Sequence, residues 1–360
     1  MASFKTLPER FHLIKEHLEL SYKNWDFEAP HEHVVFNQTS AIQEIVWTDK
    51  EKLECLKDLQ PDHLDAFVRD LFSRAYFECL IHGNLDREGA LKVVDVLEEK
   101  LAPKKLYDFE RLGSRSVWLP QGSSHILEEA VFDKENDNSA IEVYYQTCHY
   151  DDLKQRCLTQ LLDQCLKERF FDQIRTKEQL GYMVGSGVRS TRGSYGLRFI
   201  IQSNFSPDYL ELCLERYLLA EKAYFQTVDD EEFKKQVNSV VVRKLEKNRN
   251  LKQETEKHWK CIISGTYDFD FGITEADTLR MLTKQELLSF FELVVLDLSK
   301  RAKCVAVSRS QVAPASKPED HPENEVTVQP STRLGNLTQF KSSMPLCPFF
   351  QPSPKFLQLQ

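Results

Sequence analysis

An apolar helix face followed at once by a short strand occurs twice in this chain, once near each end. After Gln60, Pro61 stands where a first helical turn accepts proline. Leu64, Phe67, Val68, Leu71 and Phe72 follow at i, i+3, i+4, i+7 and i+8, which predicts one buried helix face. A short strand is expected from Ala75 to Ile81. Far downstream, Thr283 and Glu286 form a capping-box signature ahead of Leu287, Phe290, Phe291, Val294 and Val295 at the same spacing. A strand from Ala302 to Val307 follows. Helix then strand is a common succession, so the pattern alone leaves a true repeat open. If it is one, the chain holds two copies of a single α+β unit.

The second copy has more in front of it. From Ala140 to Thr147, Ile141, Val143 and Tyr145 alternate with Glu142, Tyr144 and Gln146, which predicts a half-buried strand. Leu153 to Phe170 reads as a helix, and Tyr182 to Val188 and Tyr195 to Ser203 read as strands joined by a polar turn. Ser206 caps a helix with Pro207 at its first position, and Asp229 with Glu232 opens another. The first copy has only helices between Pro8 and Leu59, so its early strands are missing. The expected division is residues 1–107, 108–312 and a proline-rich tail at 313–360. Eight of the fourteen prolines lie between Pro314 and Pro354, and Ser316 to Val326 is charged and nearly free of large apolar groups. That stretch reads as extended or poorly ordered, with Leu346 to Phe350 able to dock on the body.

Composition narrows the function classes. A chain of 360 residues with 41% hydrophobic and 29% charged residues suits a soluble globular protein of two or three domains. A net charge of -9 disfavours nucleic acid as a partner. The greasiest stretch, Leu287 to Leu298, is interrupted by Ser289, Glu292 and Asp297 and is too short to span a bilayer. Nine cysteines scattered singly suit reduced thiols, and with no apolar run at the N-terminus the cytosol is the expected compartment.

Five of the twelve glycines, Gly181, Gly185, Gly187, Gly193 and Gly196, fall within sixteen residues of a predicted hairpin. Glycine inside a strand marks a bulge or the close approach of another backbone. Arg175 and Tyr182 stand just before them. Such a pair can hold a peptide carbonyl and stabilise a developing oxyanion, and can equally be a surface arginine and a strand tyrosine. His12, Glu16 and His17 approach the H-x-x-E-H zinc helix with one residue too many. Five residues place the two histidines roughly 140° apart around a helix, so they do not share an ion. His31 and His33 have no third ligand near them in sequence, and no other His, Cys or Glu cluster has ligand spacing. No metal site is expected. The basic run Arg243, Lys244, Lys247, Arg249 and Lys252 suits a solvated helix end or a polyanion. The sequons at Asn37 and Asn336 carry little weight here.

The segment Arg175-Thr-Lys-Glu-Gln-Leu-Gly-Tyr182, with Gly196-Leu-Arg-Phe-Ile-Ile-Gln-Ser203, resembles the C-terminal half of the pitrilysin-type (inverzincin) zinc metallopeptidases. Pro30-His-Glu-His33, Leu80-Ile-His-Gly-Asn84, Glu142-Val-Tyr-Tyr-Gln-Thr147, Tyr267-Asp-Phe-Asp and Phe340-Lys extend the likeness along the chain in order. The resemblance implies α+β metallopeptidase rolls: the end of a third domain and a whole fourth domain of a four-domain chamber. It implies that Arg175 and Tyr182 bind the substrate carbonyl, that Phe171 lines the pocket beside the scissile bond, and that Gly181, Gly185 and Gly187 lie along the substrate. The expected partners are peptide substrates, the zinc-bearing N-terminal half and a second copy of the chain, with no nucleic acid and no membrane. Zinc is expected in the other half, which leaves this chain inactive alone. A non-catalytic peptide-binding or regulatory subunit of the same descent is the alternative. The family's peroxisomal C-terminal tripeptide has no counterpart in Gln358-Leu-Gln360.

Overall fold

The structure, a computed structural model, describes residues 4–111, 113–316 and 326–357. The chain forms two compact units. The larger gathers Phe27–Val46, Ser114–Lys247 and Asp268–Gln360, and the smaller gathers Met1–Asp26, Trp47–Gly113 and Asn248–Tyr267. The chain therefore passes between units more often than a single cut at residue 107 requires.

The larger unit is built on a mixed sheet of β1 (Ser124–Ala130), β2 (Ser139–His149), β3 (Met183–Thr191), β4 (Ser194–Ser203), β5 (Ala302–Arg309) and β6 (Thr332–Arg333). Their order across the sheet is β3-β4-β2-β5-β1-β6. The first three pairings are antiparallel. The two pairings of β1 are parallel. Six principal helices accompany it: α1 (Pro30–Ile42), α2 (Leu153–Phe171), α3 (Pro207–Thr227), α4 (Asp230–Leu245), α5 (Phe271–Met281) and α6 (Lys284–Phe291). The capping signals act as the sequence predicts. Ser206 accepts from the Tyr209 N–H, Asp229 accepts from the Glu232 N–H, and Thr283 and Glu286 complete a reciprocal box. Leu287, Phe290, Phe291, Val294 and Val295 are all buried in the main core.

One face of β2 carries Ile141, Val143 and Tyr145 into that core against Leu158, Leu161 and Leu162 of α2 and Leu210, Leu214 and Tyr217 of α3. The expectation of a half-buried strand is corrected, because its other face is covered too. Val34 packs with Ala140 and Ala306, while Ala41, Ile42 and Phe340 cluster with Tyr144 and Cys304. Several polar groups on that face find partners inside the protein, while Glu142 Oε2 is buried without a hydrogen bond. Arg189 Nη1 donates to the fully buried Glu142 at 2.8 Å. Burial pushes the Glu142 carboxyl up, against the pull of Arg189 and Arg198. Gln146 accepts from the Leu119 N–H at 2.8 Å and donates to the Val117 carbonyl at 3.0 Å. Asn37 is buried and donates to Glu129. Asn336 caps a helix over Leu337–Ser343.

Two cations lie wholly inside this unit. Arg301, 1% exposed, donates a fork of bonds to Glu215, Nη1 to Oε2 and Nη2 to Oε1, each at 2.7 Å. Lys303, fully buried, donates to Glu211 at 2.6 Å. Gln329 accepts from Arg301 Nε at 2.8 Å. The tail expectation is thus corrected from residue 326 onward. Gln329 is buried and Thr332–Arg333 adds the edge strand β6, while the Cys347 N–H donates to the Ser116 carbonyl at 2.7 Å, in line with the expected docking of Leu346 to Phe350. Residues 317–325, where the charged stretch falls, lie outside the described residues, as do Gln358–Gln360.

The smaller unit is helical, with Pro8–Asn24, Asp49–Asp58, Pro61–Ser73, Arg87–Leu101 and Leu251–Ile263. Here the first copy of the pattern behaves differently. Helix Pro61–Ser73 forms, yet none of its residues is buried, and Phe67 and Leu71 remain 58% and 50% exposed. The strand expected from Ala75 to Ile81 reduces to Arg74–Ala75, paired in parallel with Lys104–Lys105. The same apolar spacing is buried in the larger unit because α2 and α3 pack against α6, and the turn Glu292–Leu296 that follows it reaches β2. Among the described residues the smaller unit has only this two-residue pairing. No described helix is long and apolar enough to cross a membrane.

Candidate functional site

The pieces singled out from sequence meet where α2 ends and β3 begins. Beyond Phe171 the helix widens into a π-helical turn over Asp172–Lys177, which carries Arg175. Such turns recur at functional sites because they displace one side chain from the regular helical face. The Leu180 N–H donates to the Ile174 carbonyl at 2.9 Å, and both side chains are fully buried. Arg216 anchors Glu178 at 2.5 Å. Gln179 takes the left-handed conformation at φ 52°, a setting that non-glycine residues adopt only when their surroundings impose it. The turn is therefore held from below while its outer side chains stay accessible.

Those outer side chains form a stack. The Arg175 guanidinium carbon lies 5.0 Å from the Phe171 ring centre and 4.9 Å from that of Tyr182. Both distances are within cation–π range. Phe171 is 41% and Tyr182 83% exposed. The two rings engage the guanidinium without using its N–H groups. Among the described residues neither those groups nor the Tyr182 hydroxyl has a hydrogen-bond partner. A fork of charged donors beside a phenol, both uncommitted, suits a carbonyl oxygen on which negative charge develops.

The glycines divide into two groups. A Cβ on Gly181 would collide with the Gln202 carbonyl oxygen, and one on Gly196 with that of Tyr145. Gly193 has φ +103° and lies against Cys347. These three are required by the fold. Around Gly185 and Gly187 the nearest atoms to an added Cβ are 3.8 and 3.7 Å away, so the interior does not require glycine there. Both lie on β3, an edge of the sheet. Beside them Ser186 donates to Asp163 at 3.3 Å, and burial raises the Asp163 carboxyl above its ordinary range.

The other sequence features part company. His12 and His17 enter no grouping of three ligand atoms among the described residues. His31 bonds Gln202 at 2.8 Å. In the basic run, Lys244 pairs with the buried Glu275 at 2.6 Å, Arg243 donates to Gln164, and Lys252 faces Glu256. The run is also divided between the two units. One cluster the sequence did not reveal is His82 with Glu254 and His258, whose ligand atoms lie within 4.8 Å of one another. Glu254 and His258 are one helical turn apart, a visible signal, but nothing local announces that His82 joins them.

Residues 161–259 match the family described as PQQ synthase PqqF-like, C-terminal lobe domain 4. Insulin-degrading enzyme of Homo sapiens is 33% identical over 370 aligned positions, covering 99% of this chain and 36% of the human protein. The peroxisomal insulin-degrading enzyme-like 1 of Arabidopsis thaliana is 31% identical, covering 96% of this chain and 36% of that protein. The crystal structure of pitrilysin superposes with a TM-score of 0.80 over 96% of this chain and 35% of its own, at 21% identity. This chain spans about a third of the length of the curated relatives it matches. Along nearly its whole length the chain is homologous to insulin-degrading enzymes, and its fold is that of pitrilysin.

Proposed function

We propose that this chain is the C-terminal half of a zinc metalloendopeptidase that cleaves peptides inside a closed chamber, and that it lends substrate-binding and oxyanion-stabilising groups rather than the metal. The observation that carries this reading is the stack at the end of α2. Arg175 is clamped between Phe171 and Tyr182 with its donors uncommitted. In this reading the guanidinium and the phenol bind the scissile carbonyl and stabilise the oxyanion as the tetrahedral species forms. Phe171 walls the pocket. Gly181 lets the chain run close to Gln202, and Gly185 and Gly187 leave the edge strand bare for the peptide. The smaller unit is read as the end of the third peptidase-like domain, the larger as the fourth with its tail. The exposed stripe of Phe67 and Leu71 supports this, since it has the spacing of a buried face and lacks a layer to bury it.

The family's H-x-x-E-H helix does not fit this chain. His12 and His17 lie five apart, so no step is assigned to a metal here. A zinc ion held by the other half supplies the Lewis acid and the activated water. The test is reconstitution with a zinc-bearing N-terminal half and a fluorogenic peptide. The chain alone should give no turnover, and the pair should. Tyr182→Phe or Arg175→Ala should lower kcat about ten- to a thousandfold, the scale of one lost oxyanion donor. Unchanged kcat in both variants would sink the assigned role. Peptide binding with no turnover in the reconstituted pair would favour the regulatory subunit instead. All nine cysteines are free, seven of them buried, which supports a reducing compartment such as the cytosol.

A further inference from the structure

The smaller unit contains a set of ligating side chains for which the proposed peptidase chemistry has no use. Glu254 and His258 stand four residues apart on helix Leu251–Ile263, which brings both onto one face. Asn250 caps that helix by accepting from the Gln253 N–H, so its first turn is fixed. His82 meets this face from the loop that follows the short strand pairing. Gly83 after it has φ +138°, a conformation that other residues rarely adopt, and it lies against Leu251. The three ligand atoms converge within 4.8 Å of one another.

The orientation of His82 is set by a hydroxyl. Thr255 Oγ1 donates to the Leu251 carbonyl at 2.8 Å, so its lone pair faces outward to accept. His82 Nδ1 lies 2.8 Å from that oxygen, and in the tautomer that fits both bonds it donates to the hydroxyl. Nε2 is then the lone-pair nitrogen, and it faces Glu254 Oε2 at 3.8 Å. A neutral imidazole with its N–H tied to an oxygen and its other nitrogen free is the arrangement of a metal-ligating histidine. The His82 and His258 rings meet edge to face at 5.5 Å. At 3.8 Å the His82–Glu254 pair is too long for a hydrogen bond, so Nε2 is not tied to the carboxylate by one.

We propose that His82, Glu254 and His258 form a zinc site that clamps the loop at residues 80–84 onto helix Leu251–Ile263. Two imidazoles and a carboxylate are a zinc donor set, with a fourth position open to water. Zinc bonds of 2.0–2.1 Å in tetrahedral geometry put ligand atoms about 3.3 Å apart, so the site closes by rotamer adjustments of about 1 Å. All three side chains are only half-buried. The clamp joins segments some 173 residues apart, as the His82–Thr255 bond already does. It does so in the unit whose buried apolar residues are few, with Leu56, Cys261 and Ile262 among them. Metal binding there is stabilisation of the unit.

The experiment uses the full chain, stripped with a chelator and titrated with zinc against a chromophoric competitor, and with cobalt for its absorption spectrum. One equivalent should bind, with a cobalt spectrum of tetrahedral intensity and a rise in the thermal midpoint. His82→Ala and His258→Ala should each weaken binding about a hundredfold or more and abolish the midpoint shift. Thr255→Val, which keeps all three ligands, should weaken it about tenfold, the effect of losing an outer hydrogen bond. His12→Ala should change nothing. Far-UV circular dichroism confirms that each variant is folded. The absence of stoichiometric binding, or binding unchanged in both histidine variants, would overturn the site. The readout needs no peptide and no other half, so it is independent of the peptidase reading.

Discussion

Replacing Glu215 by glutamine tests the interior of the sheet unit most directly. Glu215 accepts two bonds at 2.7 Å from the Arg301 fork and one at 3.3 Å from the Tyr145 hydroxyl, and it lies 3.5 Å from Lys303 Nζ. Arg301 and Lys303 are 1% and 0% exposed, so neither cation can turn to water. In the native protein two buried cations face two carboxylates, Glu215 and Glu211. The substitution keeps the volume and leaves two cations facing one carboxylate. Breaking a buried pair from one side costs about 3–5 kcal/mol, because the surviving charge stays desolvated. That is a large share of the roughly 5–15 kcal/mol that stabilises a folded domain. Urea unfolding with hydrogen exchange on the peptides covering β2 and β5 measures it locally. Glu215→Gln should therefore lower stability by about 3 kcal/mol or more. The double variant Glu215→Leu with Arg301→Met should recover most of that loss, since apolar replacements remove both desolvation costs. A single-variant loss below about 1 kcal/mol, or a double variant as unstable as the single, would refute the reasoning.

Two further outcomes are expected. Gly181→Ala should unfold or distort the α2–β3 junction, because its Cβ meets the Gln202 carbonyl oxygen, whereas Gly185→Ala should leave the melting temperature within a degree or two yet weaken peptide binding to the reconstituted enzyme; equal melting temperatures for the two variants would contradict the steric reading. The Lys154 bond, with the Thr283 hydroxyl and N–H, holds the Glu286 carboxyl down at about 2, against its usual 4.5. A depressed carboxyl stabilises the fold above its unfolded value and loses that contribution as pH falls through the folded one. Glu286→Gln should thus cost on the order of 1 kcal/mol at neutral pH, the size of a helix cap at a partly exposed site, and the gap to the parent should close between about pH 4.5 and 2. A gap in urea midpoints that is the same at pH 7 and pH 2.5 would contradict this.

Much of this protein was determined by local sequence alone. Ser206, Asp229 and the Thr283–Glu286 box start helices because a side-chain oxygen satisfies an N–H within its own turn, whatever lies elsewhere. The alternation around Ile141 announces a strand for the same reason, since period two is a property of the backbone. The motif from Arg175 to Tyr182 was legible too, because seven residues of chain suffice to bring its two ends together. Tertiary structure decided burial and convergence. The apolar spacing of Leu64 to Phe72 matches that of Leu287 to Val295, yet only the second is buried, because burial depends on which layer arrives opposite. Glu142 and Gln146 read as a solvent face until α1 and the tail covered them. His82 acquired its neighbours from a helix far along the chain. Periodicity and caps act over one turn, whereas desolvation and ligand geometry depend on every segment that closes on the site.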